Sequence, residues 1–322
     1  MDTDVSDFWN ILKADVLKAD KAENISNKDN GIIIDLEMAL HSIFPRVQIY
    51  AFGSRVMGVG VEHSDLDLYL SIGSGLYSEK PSKDDFQNQV KVVEAIKRNS
   101  SKWAFIRKTS GRLPLVIVRH KALNIRCDIS FSTKMTYDQN QLVKYIFSLQ
   151  PIARYMVIYL RGLSHRYQIR KFRAHIHILM VIYFLQVHHK LPSIFDLQFG
   201  LSPNIFPWIT NYKNLGLSHF DMTPIPLNEG EARSIMKSFF NYYCGFNFEL
   251  LVVCPWLGRQ VQRDELNSLL PNRFQGYRLI NTARHPMILQ DLVHLNQNKA
   301  YSIEITDLEY FKQICGQQEK NI

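Results

Sequence analysis

Asp65, Asp67 and Asp128, with the pair Gly53–Ser54, are the residues whose types and spacing could do chemistry. Gly53 and Ser54 follow an apolar run at residues 47–52 that reads as a buried strand. Ten residues later, Asp65 and Asp67 sit two apart at the head of a second apolar run, residues 66–72. Residues i and i+2 of a strand share a face, so the two carboxylates project together. That is costly unless a cation lies between them. Carboxylate oxygens suit a hard divalent ion, Mg2+ or Mn2+. The glycine turn upstream lets backbone amides approach a phosphate. Asp-x-Asp alone would mark a loop or a solvated edge strand; the order strand, Gly-Ser, spacer, Asp-x-Asp describes a place to hold a metal-bound triphosphate. Asp128 is a third carboxylate. Residues 124–131 alternate as a strand, with residues 114–119 as hairpin partner and a turn near 120–123. Two-metal phosphoryl or nucleotidyl transfer needs three such acids.

The elements that position these side chains follow from the hydrophobic pattern. Val5, Phe8, Trp9, Leu12, Val16 and Leu17 have near-helical spacing over residues 5–20. Ser26–Asn27 could cap a second helix running to about Ile43. Residues 71–84 read as a loop, 85–97 as a helix and 103–107 as a short strand. Helices dominate after Asp128: residues 137–149, 152–165, 174–188 and 229–243. Residues 174–188 are apolar on all sides and read as the core of a lobe. The tail, residues 310–322, reads as polar and frayed.

Length and composition bound the answer. The 322 residues are 46% hydrophobic and 21% charged, an ordinary globular balance long enough for two domains. The net charge of +8 is compatible with a polyanionic partner and proves nothing alone. Cys127, Cys244, Cys254 and Cys315 are scattered, which argues against a zinc site or disulfide framework and fits a reducing compartment. The apolar run at residues 176–187 is too short and too polar for a membrane span. Asp2, Asp4 and Asp7 argue against a targeting peptide, so cytoplasm or nucleus is expected.

Gly53–Ser54, Asp65-x-Asp67 and Asp128 together resemble the DNA polymerase β-like nucleotidyltransferase superfamily. Residues 227–248, with Phe239-Phe240-Asn241-Tyr242-Tyr243 and Phe246-Asn247-Phe248, are similar to the poly(A) polymerase-associated segment of cytoplasmic-type poly(A) polymerases and terminal uridylyltransferases. Residues 287–291 and 295–300 look like that family's nucleotide-recognition loop, and residues 174–186 like its nucleotide-facing core helix. The resemblance covers roughly residues 45–305 and rests on several motifs in order. It implies an α+β protein. A nucleotidyltransferase palm of mixed sheet and helices, residues 44–135, would pack against a mainly helical central domain, residues 1–43 and 136–322, with the nucleotide in the cleft between them.

The departures from the family pattern bear on the site. Counted without gaps from Asp128, the family's ribose-binding Asn falls on Gln139, with Asn140 one residue late. The two lysines that neutralise the triphosphate fall on Arg161 and His165. Arg161 keeps the charge and adds a bidentate fork. Arg166, Arg170, Lys171 and Arg173 lie near in sequence; Arg170 and Lys171 read as solvated helix-end charges. The family's Ser-Tyr pair falls on Ala174–His175, so His175 is the expected base-stacking residue, while His177, His188 and His189 read as structural or surface. Uridylyl-specific members carry His-Asn where this chain has Gln297–Asn298, which leaves UTP and ATP both open.

The reading that results is a template-independent RNA 3′-terminal nucleotidyltransferase. It would add UMP or AMP from UTP or ATP by in-line attack of an RNA 3′-hydroxyl, with Mg2+ or Mn2+ on Asp65, Asp67 and Asp128 and the phosphates on Gly53–Ser54 and Arg161. No small RNA-binding module is evident, so RNA would be gripped by basic faces through salt-sensitive phosphate contacts, or chosen by a protein partner. Two rivals remain: transfer to a non-RNA acceptor, and an inactive paralogue acting as an RNA-binding or scaffold protein.

Overall fold

The computed structural model describes residues 7–24, 31–72, 82–110, 114–131 and 134–322. The expected helix cap at Ser26–Asn27, Val5 and the expected loop over residues 73–81 lie outside the described residues. The chain divides into two compact units, Leu17–Gln141 and Met1–Val16 with Leu142–Ile322. No described helix is long and apolar enough to cross a membrane.

The first unit is built on one mixed sheet. Its elements are the second half of α1 (Asp7–Asn24), α2 (Gly31–Leu40), β1 (Gln48–Phe52), the short turn α3 (Gly53–Val56), β2 (Leu66–Ser71), α4 (Lys83–Arg98), β3 (Trp103–Thr109), β4 (Leu115–His120), β5 (Ile125–Ser130) and the first half of α5 (Lys134–Leu149). The strand order is β1-β2-β5-β4-β3, with β2 and β5 parallel and the other pairs antiparallel. Alternation sorts the faces. Leu66, Leu68 and Leu70 of β2, Cys127 and Ile129 of β5, and Val116 and Val118 of β4 turn into one buried cluster. Asp67 and Asp128 are left on the opposite face.

Helix α2 packs on the sheet. Ile32, Ile33, Leu36 and Leu40 lie in the same cluster as the sheet, joined by Val92 and Ile96 of α4. Asp35 adds polar ties, 2.5 Å to Lys102 Nζ and 3.0 Å to His120 Nε2. Each fully buried aliphatic side chain contributes about 1.5–3 kcal/mol, which outweighs sequence distance in deciding where the helix packs.

The second unit is mainly helical: α6 (Pro151–Arg166), α7 (Ala174–Val187), α8 (Ile194–Gln198), α9 (Glu229–Gly245), a two-stranded ribbon of β6 (Leu251–Val252) and β7 (Val261–Gln262), and α10 (Ile305–Asn321). α7 is buried all round from Ile176 to Gln186, as its unbroken apolar run requires. Phe239, Phe240 and Tyr243 of α9 are buried, and the Tyr243 hydroxyl donates to the Met180 carbonyl at 2.8 Å. The tail corrects the frayed end expected from sequence. Leu308, Phe311, Ile314 and Cys315 form a buried stripe on α10, which packs on α9. Charged residues between these positions mask their helical spacing.

Candidate functional site

The carboxylates lie where strand register puts them. Asp67 is the partner of Asp128 across the parallel β2–β5 pair, and Asp65 precedes β2 by one residue. Burial, then the charges of Asp128 and Asp65, pushes the Asp67 carboxyl up to about 7. Asp65 is raised as well, by burial and by Asp128, against a lowering pull from Arg126. Phe52 pairs with Asp67 across β1–β2, which brings Gly53 against the Asp67 side chain. Gly53 has φ +85°, and a Cβ there would lie 1.9 Å from Asp67 Oδ2, so glycine is required on both counts.

The Gly53 turn is pinned rather than open. Asn140 Oδ1 accepts from the Gly53 amide at 2.7 Å, while Asn140 Nδ2 donates to the Thr136 carbonyl at 2.8 Å. Asn140 is buried and committed to shaping the turn; Gln139 is half-buried beside it in sequence. Ser54 stands half-buried in the first turn of α3.

Two arginines escaped the sequence reading. Arg126 forks onto Asp128 at 3.1 and 3.2 Å and reaches Asp65 at 3.5 Å. Its position two residues before Asp128 on one strand was the available signal. Arg55 is buried and donates to the carbonyls of Ser64, Ala22 and Glu62, which fixes the loop leading into Asp65. Nothing in the sequence pattern marked it.

The donor set fits a hard divalent ion. It is all oxygen, all carboxylate, and on one sheet face, with Asp67 pushed toward the neutral form by burial and by the neighbouring Asp128 and Asp65. Among the described residues no group of three His, Cys, Asp or Glu is gathered closely enough to hold an ion as it stands. Arg126 supplies positive charge to two of the three acids instead.

The helical unit carries a pocket of about 520 Å3 lined by Arg161, Ser164, His165, Arg170, Phe172 and Arg173, among others. Arg161 and His165, expected together at the phosphates, do line one cavity. Burial lowers the Arg161 guanidinium to about 10, and it stays charged at neutral pH. Arg170, expected to be merely solvated, also lines it. Lys171 turns away to Glu304 (2.8 Å) and Asp307 (2.9 Å).

The segment expected to recognise the base is held by its own polar groups. Asn298 Oδ1 accepts from the amides of Leu289 and Ala300, and its Nδ2 donates to the Met287 carbonyl. Three of the four hydrogen-bonding positions of Asn298 thus close the loop. Gln297 Oε1 accepts from Lys299 at 3.4 Å. Asp291, fully buried, accepts from the amides of Val293 and His294 and pairs with Lys299 at 2.8 Å. Burial alone would raise this carboxyl, but Lys299 and those amides hold it well below the usual carboxylate range. His175 is crowded yet solvent-accessible; desolvation, Lys299 and Arg173 lower it to about 4, so its ring is neutral at neutral pH.

The five-stranded mixed sheet and the helical unit share their fold with solved mtPAP and RNA terminal U-transferase structures. Residues 12–148 match the family model described as "Poly(A) RNA polymerase, mitochondrial-like, central palm domain". It is 22% identical to a Danio rerio speckle targeted PIP5K1A-regulated poly(A) polymerase, over 92% of this chain and 44% of the relative. It is 23% identical to the Schizosaccharomyces pombe terminal uridylyltransferase cid1, over 66% of this chain and 53% of the relative. The chain thus spans about half the length of these curated relatives. Among solved structures, mtPAP in complex with ATPgammaS superposes with TM-score 0.71 at 16% identity, covering 98% of this chain and 67% of that one. A cytoplasmic RNA terminal U-transferase gives 0.69 at 18% identity, covering 96% and 93%. A Cid1 poly(U) polymerase structure, described as Mg 3'-dATP bound, gives 0.66 at 18% identity over 88% and 84%.

Proposed function

We propose that this protein is a template-independent RNA 3′-terminal nucleotidyltransferase that adds UMP or AMP from the ribonucleoside triphosphate to an RNA 3′-hydroxyl. The observation that carries the reading is the parallel register Asp67↔Asp128, which sets two carboxylates side by side with Asp65 next to them. Asp65, Asp67 and Asp128 would hold Mg2+ or Mn2+. Bound there, the ion supplies charge neutralisation at the phosphates and a lowered pKa for the attacking hydroxyl. Arg126 releases Asp65 and Asp128 for that role. Gly53, shaped by Asn140, keeps the Asp67 carboxylate close to the turn carrying Ser54. Arg161 and His165 bind phosphates, and the neutral ring of His175 stacks on the base. Gln139 serves the ribose, and Gln297 and Asn298 border the base.

In this reading the palm takes in α2 and the helical domain begins within α5, which the division into compact units supports. The divalent ion, the RNA 3′ end, UTP or ATP, and a protein partner for RNA choice are part of this proposal. So is a cytoplasmic or nuclear address, which the four free cysteines support.

The fork of Arg126 across two of the three acids favours one alternative, an RNA-binding protein without catalysis. A single assay separates them. Labelled single-stranded RNA is incubated with each ribonucleoside triphosphate and Mg2+ or Mn2+, beside an Asp65→Ala control. Addition of a nucleotide that disappears in the control is expected. RNA binding with no addition under either metal moves the reading to the alternative.

A further inference from the structure

The basic pocket of the helical unit holds one uncharged hydroxyl, Ser164 of α6, among its lining residues. Its Oγ lies 3.1 Å from Nε2 of His177 on α7. His177 is buried, and its ring stacks on Phe172 with centroids 6.3 Å apart and 25° between planes. Nδ1 of His177 is buried with no hydrogen-bond partner among the described residues. Desolvation, with Arg161 and His175 nearby, pushes this imidazole down to about 3, so it is neutral and carries a single proton. An orphaned N–H is the rarer and costlier outcome in a protein interior. The hydrogen-bond network therefore assigns the proton to Nε2, which donates to Ser164 Oγ. That leaves the Ser164 hydroxyl hydrogen uncommitted, in a pocket lined by the charged Arg161, Arg170 and Arg173 and by His165.

We propose that Ser164, oriented by His177, donates a hydrogen bond to a phosphate oxygen of a nucleoside triphosphate held in this pocket. The inference rests on the reading of the pocket as a phosphate site and adds a residue to it. Arginines attract the anion from any direction, whereas a hydroxyl held through one lone pair by His177 and left with a free hydrogen fixes where one phosphate oxygen sits. His177 is a positioning residue and touches no phosphate. Ala174, the neighbouring lining residue at the start of α7, offers no hydroxyl of its own.

The test uses the full chain, inorganic tripolyphosphate and no divalent metal, with binding read by calorimetry. Ser164→Ala weakens binding about tenfold, the scale of losing one hydrogen bond to a charged partner, while Ser164→Thr stays within about twofold of the parent. Arg161→Ala is the control on the pocket. If Arg161→Ala weakens binding and Ser164→Ala does not, the proposal is overturned and the pocket reading stands. If neither changes it, the pocket is not the phosphate site and both fall. A second readout needs no variant: nitrogen NMR of labelled histidine reports the tautomer of His177. A protonated Nε2 with a bare Nδ1 is expected. A protonated Nδ1 would make Ser164 the donor to His177 and overturn the proposal.

Discussion

Asp67 is half-buried and Asp291 fully buried, and the protein treats the two aspartates in opposite ways. Asp67 faces Asp128 and Asp65, lacks a cation of its own, and its carboxyl is driven up to about 7. Asp291 sits on Lys299 and two backbone amides, and its carboxyl is held below the ordinary range. Desolvation pushes both carboxyls up, so desolvation does not distinguish them. The distinction lies in whether the chain supplies the countercharge. A carboxylate compensated internally builds structure. One left uncompensated beside like charges is placed for a ligand that brings the charge with it. Arg126 stands between these cases, a half-exposed partner for Asp65 and Asp128.

This contrast can be broken from either side. The largest expected effect is on the sheet face: Asp128→Ala lowers nucleotide addition by on the order of 1,000-fold. Its melting temperature stays within about 3 °C of the parent, since a like charge has been removed. Unfolding of this variant would put Asp128 in the structural class. Asp291→Asn does the reverse and costs about 3 kcal/mol of stability in denaturant titrations, because Lys299 is left facing a neutral group. The pH dependence has a defined sign. With its folded pKa depressed, Asp291 gives stability that is complete above the free value of 3.8 and is lost as pH falls below it. The variant should therefore show a flatter acid limb; an unchanged limb would mean the pair contributes nothing.

Smaller effects sharpen the comparison. Arg161→Ala raises the nucleotide KM about 10- to 100-fold with a lesser change in kcat, as removal of a charged phosphate contact should. A pure kcat effect would place Arg161 elsewhere in the reaction. Arg126→Gln costs the metal-free protein under about 1 kcal/mol, because the pair is partly solvent-screened. It also tightens Mn2+ binding a few-fold by electron paramagnetic resonance. Unchanged Mn2+ affinity would show that Arg126 does not compete for the acids.

The sheet face was more legible in the sequence than the helical pocket, for a physical reason. A period of two fixes the face of a strand residue from its neighbours alone, so Asp65 and Asp67 share a face by sequence, while Asp128 joins them through the resemblance and the chemistry of two-metal transfer. Arg126 shared that signal and was overlooked. α2 could not be placed this way, since which lobe its apolar stripe joins depends on long-range packing. α10 was lost because charged residues separate Leu308, Phe311 and Ile314. Asn140 and Asn298 show a further limit: an amide suited to a nucleotide is equally suited to backbone, and only the fold reveals that Gly53 and Leu289 claim them. The Ser164–His177 pair joins two helices through tertiary contact and leaves no trace in spacing.

The most direct test of the central claim is the rate of nucleotide addition to a labelled RNA 3′ end by the wild-type chain and by Asp67→Asn, with matched folding checked by circular dichroism. Asp67→Asn keeps the shape of the side chain and removes only its charge. Metal-dependent addition by the wild type and none detectable by the variant is the expected result. Equal rates, or a variant that is inactive only because it is unfolded, would contradict the assignment of Asp67 to the chemistry.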